Sequence, residues 1–157
     1  MPDEARRDLE ELAFFSSRVM VNILAQSLEH EEVYGLSVQQ YRVLDTMYHG
    51  TDDPSDLTKM LALSPRATRR IIRKLDNKSL LSRTHTQSVP RRTVIGLTDA
   101  GEDVVRKATM YRRKILSAVL DGMTAGDLSQ LENGLEAFND SYVSLIEEKR
   151  NMQWTRR

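Results

Sequence analysis

Arg66, Arg69, Arg70 and Arg73 stand at spacings i, i+3, i+4, i+7 within SPRATRRIIRKLDN, residues 64–77. At a helical advance of roughly 100° per residue the four form one stripe. Ala67, Ile71, Ile72 and Leu75 fall on the other side, so the segment is predicted to be a short helix that docks by a dry face and presents guanidinium groups on the opposite one. The chemistry such a face can do is recognition of anions, and arginine pairs best with the O6 and N7 edge of guanine. Like charges at i, i+4 repel by roughly 0.2–0.5 kcal/mol per pair. Arg66 with Arg70 and Arg69 with Arg73 are two such pairs, and Asp76 is the one acid close by. An external anion relieves that repulsion, and the DNA backbone supplies one. A merely solvated charged face, the common fate of such stripes, leaves it in place.

The charge distribution singles out the same region. The 157 residues carry no formal net charge, with 23 basic and 23 acidic side chains. Residues 1–56 hold 12 acids and 4 bases, a net of −8, whereas residues 64–93 hold 9 bases and 1 acid, a net of +8. Lys59 adds +1, and residues 94–157, with 9 bases and 10 acids, add −1. Cysteine is absent, which excludes disulfides and thiolate metal sites. His30, His49 and His85 lack i, i+4 ligand spacing, so neither a metal nor a cofactor is expected. Glycine-rich phosphate loops, GxSxG and HExxH are also missing, and an enzyme is not expected. The charged N-terminus and the lack of a long apolar run suggest a cytoplasmic protein.

The arginine stripe needs elements to hold it outward. Ser64 is a good N-cap and Pro65 suits the first helical position. A short helix before it, capped by Ser55 with Leu57, Met60 and Leu61 inward, is separated from it by Ala62-Leu63-Ser64. Two short helices joined by a tight turn read as a helix-turn-helix. Upstream, Leu9, Leu12, Val19 and Ile23 line an amphipathic helix from about Asp8 to His30, broken at Tyr34-Gly35. Ser37 and Gln40 form a capping box for the next helix, whose apolar face is Tyr41, Leu44 and Tyr48 and which ends near His49-Gly50. Downstream, residues 80–86 and 91–97 read as two strands joined by a turn at 87–90, a wing with Arg91 and Arg92 beside its tip. Thr98 caps a long helix that Gly122 ends, and Thr124 with Asp127 opens the last one. There Leu128, Leu131, Leu135, Phe138, Tyr142 and Leu145 alternate spacings of 3 and 4, a heptad seam. Paired with Leu9, Leu12 and Val19, it suggests that the two chain ends pack together and against a second copy.

The order Leu36-Ser37-x-x-Gln40, Leu63-Ser64-x-x-x-Thr68-Arg69, Leu75, Leu80-Leu81-x-Arg83, Arg91 and Leu97-Thr98-x-x-Gly101 resembles the MarR (multiple antibiotic resistance regulator) family. The motifs cover residues 36 to 105, and the LTxxG end is the most specific part. The resemblance implies a dimeric winged helix-turn-helix transcription factor whose fourth helix enters the major groove and whose wing-tip arginine, here Arg91, reaches the minor groove. It also implies loss of DNA affinity when a small phenolic or aromatic ligand binds between the dimerisation helices and the winged domain. Tyr41, Tyr48, Tyr111, Phe14, Phe15 and several methionines are available to line such a pocket, and none is assigned to it. Two positions depart from the family: Val89 stands where it usually has Asp, and Ser79 where it has Gly just after the recognition helix.

The expected fold is therefore mainly α: a winged helix-turn-helix over residues 36–98, flanked by dimerisation helices at 1–35 and 99–157. Pro65, Arg66, Thr68, Arg69 and Arg70 are the candidates for base edges, with Arg73, Lys74, Lys78 and Arg83 at phosphates and Arg91 and Arg92 at the wing. The expected function is a homodimeric, sequence-specific DNA-binding regulator, a repressor on a near-palindromic operator. The alternative is a helical dimer whose basic winged domain binds an acidic protein.

Overall fold

The computed structural model describes residues 3–33, 35–85 and 93–154, and only the backbone of 84, 85, 93 and 147–154. The chain divides into two compact units, Met1–Leu116 and Ser117–Arg157.

The first unit holds α1 (Asp3–Ser27), a 3-10 turn at Glu31–Val33, α2 (Val38–Tyr48), α3 (Pro54–Met60), α4 (Pro65–Asp76), β1 (Leu81–His85), β2 (Thr93–Leu97) and α5 (Asp99–Leu120) as far as residue 116. The fold is mainly α, a winged helix-turn-helix with a two-stranded antiparallel wing. Helix α1 begins before Asp8 and stops short of His30, because Leu28 turns into the core and the Leu28 and Glu29 amides tighten onto the Ala25 and Gln26 carbonyls. Gly35, at φ +55°, supplies the left-handed residue that the reversal into α2 needs.

Helix α2 opens with the expected reciprocal cap: the Gln40 amide donates to Ser37 Oγ at 3.3 Å, and the Ser37 amide to Gln40 Oε1 at 2.9 Å. The cap of α3 is Asp53, not Ser55. Its Oδ1 accepts the Ser55 amide at 2.6 Å, and Pro54, with its fixed φ, takes the first helical position. Tyr41, Leu44, Leu57 and Leu61 are buried as expected, but Tyr48 and Met60 are exposed; each is the last residue of its helix.

One core joins these elements. Val43, Leu44, Leu57, Leu75, Leu80 and Val104 are fully buried, with Ile71, Ile72, Ile95 and Val105 beside them. It reaches past residues 36–98 at both ends, to Leu28 and Val33 before and to Ala108 after. In the wing, Leu81 pairs with Leu97, Arg83 with Ile95 and His85 with Thr93. Because side chains alternate along a strand, Leu81 and Arg83 share the face that carries buried Ile95.

The second unit holds the end of α5 and α6 (Ala125–Trp154). Thr124 Oγ1 accepts the Asp127 amide at 3.2 Å and the Asp127 carboxylate accepts the Thr124 amide at 3.4 Å, the reciprocal pair of a capping box, with the Thr124 hydroxyl also donating to that carboxylate at 2.7 Å. The whole seam of Leu128, Leu131, Leu135, Phe138, Tyr142 and Leu145 is solvent-exposed in the single chain.

Candidate nucleic-acid interface

Two near-identical helix starts and two helix ends of one unusual kind hold α4 in place. Asp53-Pro54 opens α3 and Ser64-Pro65 opens α4, each with a side-chain oxygen on the free backbone amides of the first turn. Between them α3 ends in a Schellman turn: the Ala62 amide bonds the Lys59 carbonyl at 3.2 Å and the Leu63 amide the Thr58 carbonyl at 3.0 Å. Ala62 is left-handed there, φ +50°. The same motif ends α4, with Ser79 N to Asp76 O at 2.8 Å, Leu80 N to Leu75 O at 3.1 Å, and Ser79 at φ +57°. Ser79 thus adopts the conformation for which the MarR pattern uses glycine.

Ile71, Ile72 and Leu75 of α4 are buried, while Arg66, Arg69, Arg70 and Arg73 are all exposed, as are Pro65, Lys74 and Lys78. The ion pairs among the described residues leave the four arginines out, so among those residues their mutual repulsion stands uncompensated. Arg91 and Arg92 lie outside the described residues, as does the expected turn at 87–90.

Burial removes one of the expected base contacts. Thr68 is only 1% exposed. It shares the phase of Ile71, Ile72 and Leu75, at i, i+3, i+4 and i+7, and so turns into the core. Its hydroxyl donates to the Ser64 carbonyl at 3.2 Å and accepts from the Thr58 hydroxyl at 3.0 Å, fastening α4 to α3. Thr68 holds α4 against α3 and is turned away from the exposed arginine face. Arg83, expected at a phosphate, pairs with Asp76 at 2.7 Å and stays exposed beside the end of α4.

The LTxxG residues anchor the wing, a tertiary role that local spacing does not show. Thr98 caps α5 through the Gly101 amide at 3.1 Å, donates its hydroxyl to the Ser79 carbonyl at 2.8 Å, and donates its own amide to the Leu80 carbonyl at 3.2 Å. A Cβ on Gly101 would stand 2.2 Å from that Leu80 oxygen. The glycine is there because the first turn of α5 lies against backbone. On the other strand, the Ile95 amide bonds the Asp52 carbonyl at 3.3 Å, tying the wing to the lead-in of α3.

The aromatic candidates sort into different surroundings. Tyr41 faces a cavity of about 540 Å³ lined by α1, α2 and α5, with Met20, Leu24 and Arg112 on its walls. Its hydroxyl meets Asp45 at 3.2 Å and Thr109 at 3.3 Å, and burial lifts its pKa above the ordinary tyrosine value. Tyr48 lines a second cavity of about 650 Å³ with His49, Thr109 and Arg112. Tyr111 stacks on His30 and donates to Glu32, a hydrogen bond that raises its pKa. Phe14 and Phe15 lie on the exposed side of α1.

A basic helix exposed on a helix-turn-helix, with a wing anchored beside it, defines a winged helix-turn-helix protein. The chain resembles the MarR family in sequence and shares its fold. The structure matches a MarR family protein from Bacillus stearothermophilus with a TM-score of 0.81, at 17% identity over 91% of this chain and 99% of that one. It matches RV1404 from Mycobacterium tuberculosis with a TM-score of 0.77, at 25% identity over 89% and 96%. Streptococcus pneumoniae FabT, in complex with DNA, gives 0.72 at 17% identity over 90% and 99%. Among curated sequences, the Bacillus subtilis HTH-type transcriptional repressor MdtR is 27% identical over 109 residues, 69% of this chain and 70% of MdtR. The uncharacterized HTH-type transcriptional regulator YdgJ of the same organism is 24% identical over 99 residues, 62% of this chain and 60% of its own length. No protein-family model matches the chain.

Proposed function

We propose that this protein is a homodimeric, sequence-specific DNA-binding transcriptional regulator, acting as a repressor on a near-palindromic operator. The observation that carries the reading is α4: four exposed arginines that take no carboxylate partner among the described residues, on a helix whose other face is locked into a core. Such a helix fits the major groove, with Pro65, Arg66, Arg69 and Arg70 near its N-terminus toward base edges and Arg73, Lys74 and Lys78 toward phosphates. Arg91 and Arg92 at the wing would reach the minor groove, where a narrow A-tract attracts guanidinium groups. The likeness to FabT, solved with DNA, and to MdtR, named a repressor, supports the same reading.

Dimerisation is supported by apolar surface that a single chain leaves in water. Leu9 and Leu12 on α1 and Leu128, Leu131, Leu135, Phe138, Tyr142 and Leu145 on α6 are exposed, and Val19 is half-buried. A two-fold dimer sets its recognition helices one turn of DNA apart, roughly 34–36 Å, so half-sites should repeat about every 10 bp. A small aromatic ligand in the Tyr41 cavity would shift α1 or α5 against α2 and release DNA. A regulator of this kind works in the cytoplasm; among the described residues no helix is long and apolar enough to cross a membrane.

The test is selection of duplexes from a random pool, followed by titration of the selected and a scrambled duplex. Arg69→Ala should cost about 1–3 kcal/mol on the selected site and relax its specificity, whereas Lys78→Ala should weaken all duplexes and flatten the salt slope by about one unit. Equal affinity for selected and scrambled DNA would overturn the reading in favour of an acidic protein partner.

A further inference from the structure

Arg83 and Asp76 form an ion pair of 2.7 Å between β1 and the last residue of α4. The two side chains are 48% and 35% exposed, so the pair adds little to global stability. Its place in the wing gives it another use. Arg83 sits on the rung opposite Ile95, and the Ile95 amide is itself bonded to the Asp52 carbonyl ahead of α3. One rung of the wing is therefore tied on both edges, by β1 to the end of the recognition helix and by β2 to the start of its companion. The remaining described attachments, Thr98 to Ser79 and Leu80, lie at the wing's root. Two residues further along each strand the described ladder ends at His85 and Thr93, with Arg91 and Arg92 beyond. A tilt at the tied rung is magnified toward the tip.

The geometry points to Asp76 as a positioning residue: its carboxylate holds Arg83, and through it the wing, at a fixed angle to α4, so that helix and wing meet the duplex as one body. The inference rests on the DNA-binding reading above, and it makes an acid on the basic face helpful to binding. Bare electrostatics gives the opposite sign, because Asp76→Asn adds one net positive charge beside the DNA-facing surface and should tighten the complex.

The experiment uses the full chain with Asp76→Asn, Arg83→Gln and the exchanged pair Asp76→Arg with Arg83→Asp. Two quantities are read: amide hydrogen exchange of β1 and β2, and affinity for the duplex that the wild type selects. Asp76→Asn and Arg83→Gln should each speed exchange and weaken binding by about two- to fivefold, the range of a part-exposed ion pair, and the exchanged pair should recover both. Unchanged exchange in Asp76→Asn, or binding as tight as wild type or tighter, would overturn the proposal. Should the wild type select no duplex, the DNA-binding reading falls, and the exchange measurements alone decide whether the strut exists.

Discussion

Gly101→Ala is the sharpest test of how the wing is anchored. The added Cβ would stand 2.2 Å from the Leu80 carbonyl oxygen and 3.2 Å from its carbon, both backbone atoms of a residue with no exposed surface. Real Cβ contacts under 3.0 Å are essentially unknown, so α5 and the Leu80 backbone must part by close to an ångström. That movement stretches the 3.2 Å bond from the Thr98 amide to the same oxygen. Overpacking of this kind costs about 1–3 kcal/mol, and the lost hydrogen bond about 0.5–1.5 kcal/mol. Alanine's better helix propensity returns about 1 kcal/mol. The net is a destabilisation of about 0.5–3.5 kcal/mol, the sum of those three contributions. Urea unfolding measures it, with an unchanged slope required for the comparison to hold. Gly134→Ala is the control, since nothing lies within 4 Å of a Cβ there, and it should gain about 0.5–1 kcal/mol. A Gly101→Ala protein as stable as the Gly134→Ala protein would refute the close approach of α5 to the backbone.

Three further outcomes are expected. Ser79→Gly and Ala62→Gly each remove a left-handed residue bearing a Cβ, a relief of about 1–2 kcal/mol partly offset by about 0.4–1 kcal/mol of added chain entropy when unfolded; thermal unfolding should rise for both, and a fall would sink the assignment of strain. Thr68→Val should lower stability by about 1 kcal/mol through the loss of the Thr58 and Ser64 contacts while keeping the base preference of the selected DNA; altered preference with unaltered stability would return Thr68 to the reading surface. Leu135→Glu places a charge in the exposed α6 seam and should yield monomers with weak operator binding, which sedimentation of an intact dimer would contradict.

What could be read in the chain beforehand follows from how local each signal is. The arginine stripe, the Ser37, Ser64, Thr98 and Thr124 caps and the two strands are set by residues within a turn or two of one another, and periodicity or capping chemistry exposes them. Two potential caps, Asp53 and Ser55, flank Pro54, and the ring's fixed φ decides between them by taking the first helical position. Thr68 lies near the N-terminus of α4, which suggests a base contact, but its phase with Ile71, Ile72 and Leu75 decides its burial. The Arg83–Asp76 pair joins a strand to the helix before it across seven residues, and no local period marks it. The Ala62 conformation has no sequence mark, since left-handed residues are ordinarily glycine, whereas Ser79 is marked only by standing where the MarR pattern has glycine. The cradle around Leu80 joins residues 79–80 to residues 98–101 and becomes visible only when the chain has folded.

The crowd of guanidinium groups on α4 has a consequence for the protein when no partner is bound. Each neighbouring pair of them strains the free helix, and mobile anions gather there to ease it. Raising ionic strength should therefore firm up the unliganded protein while it loosens the nucleoprotein complex, since the same small ions that quiet the helix must be expelled before a duplex can take their place.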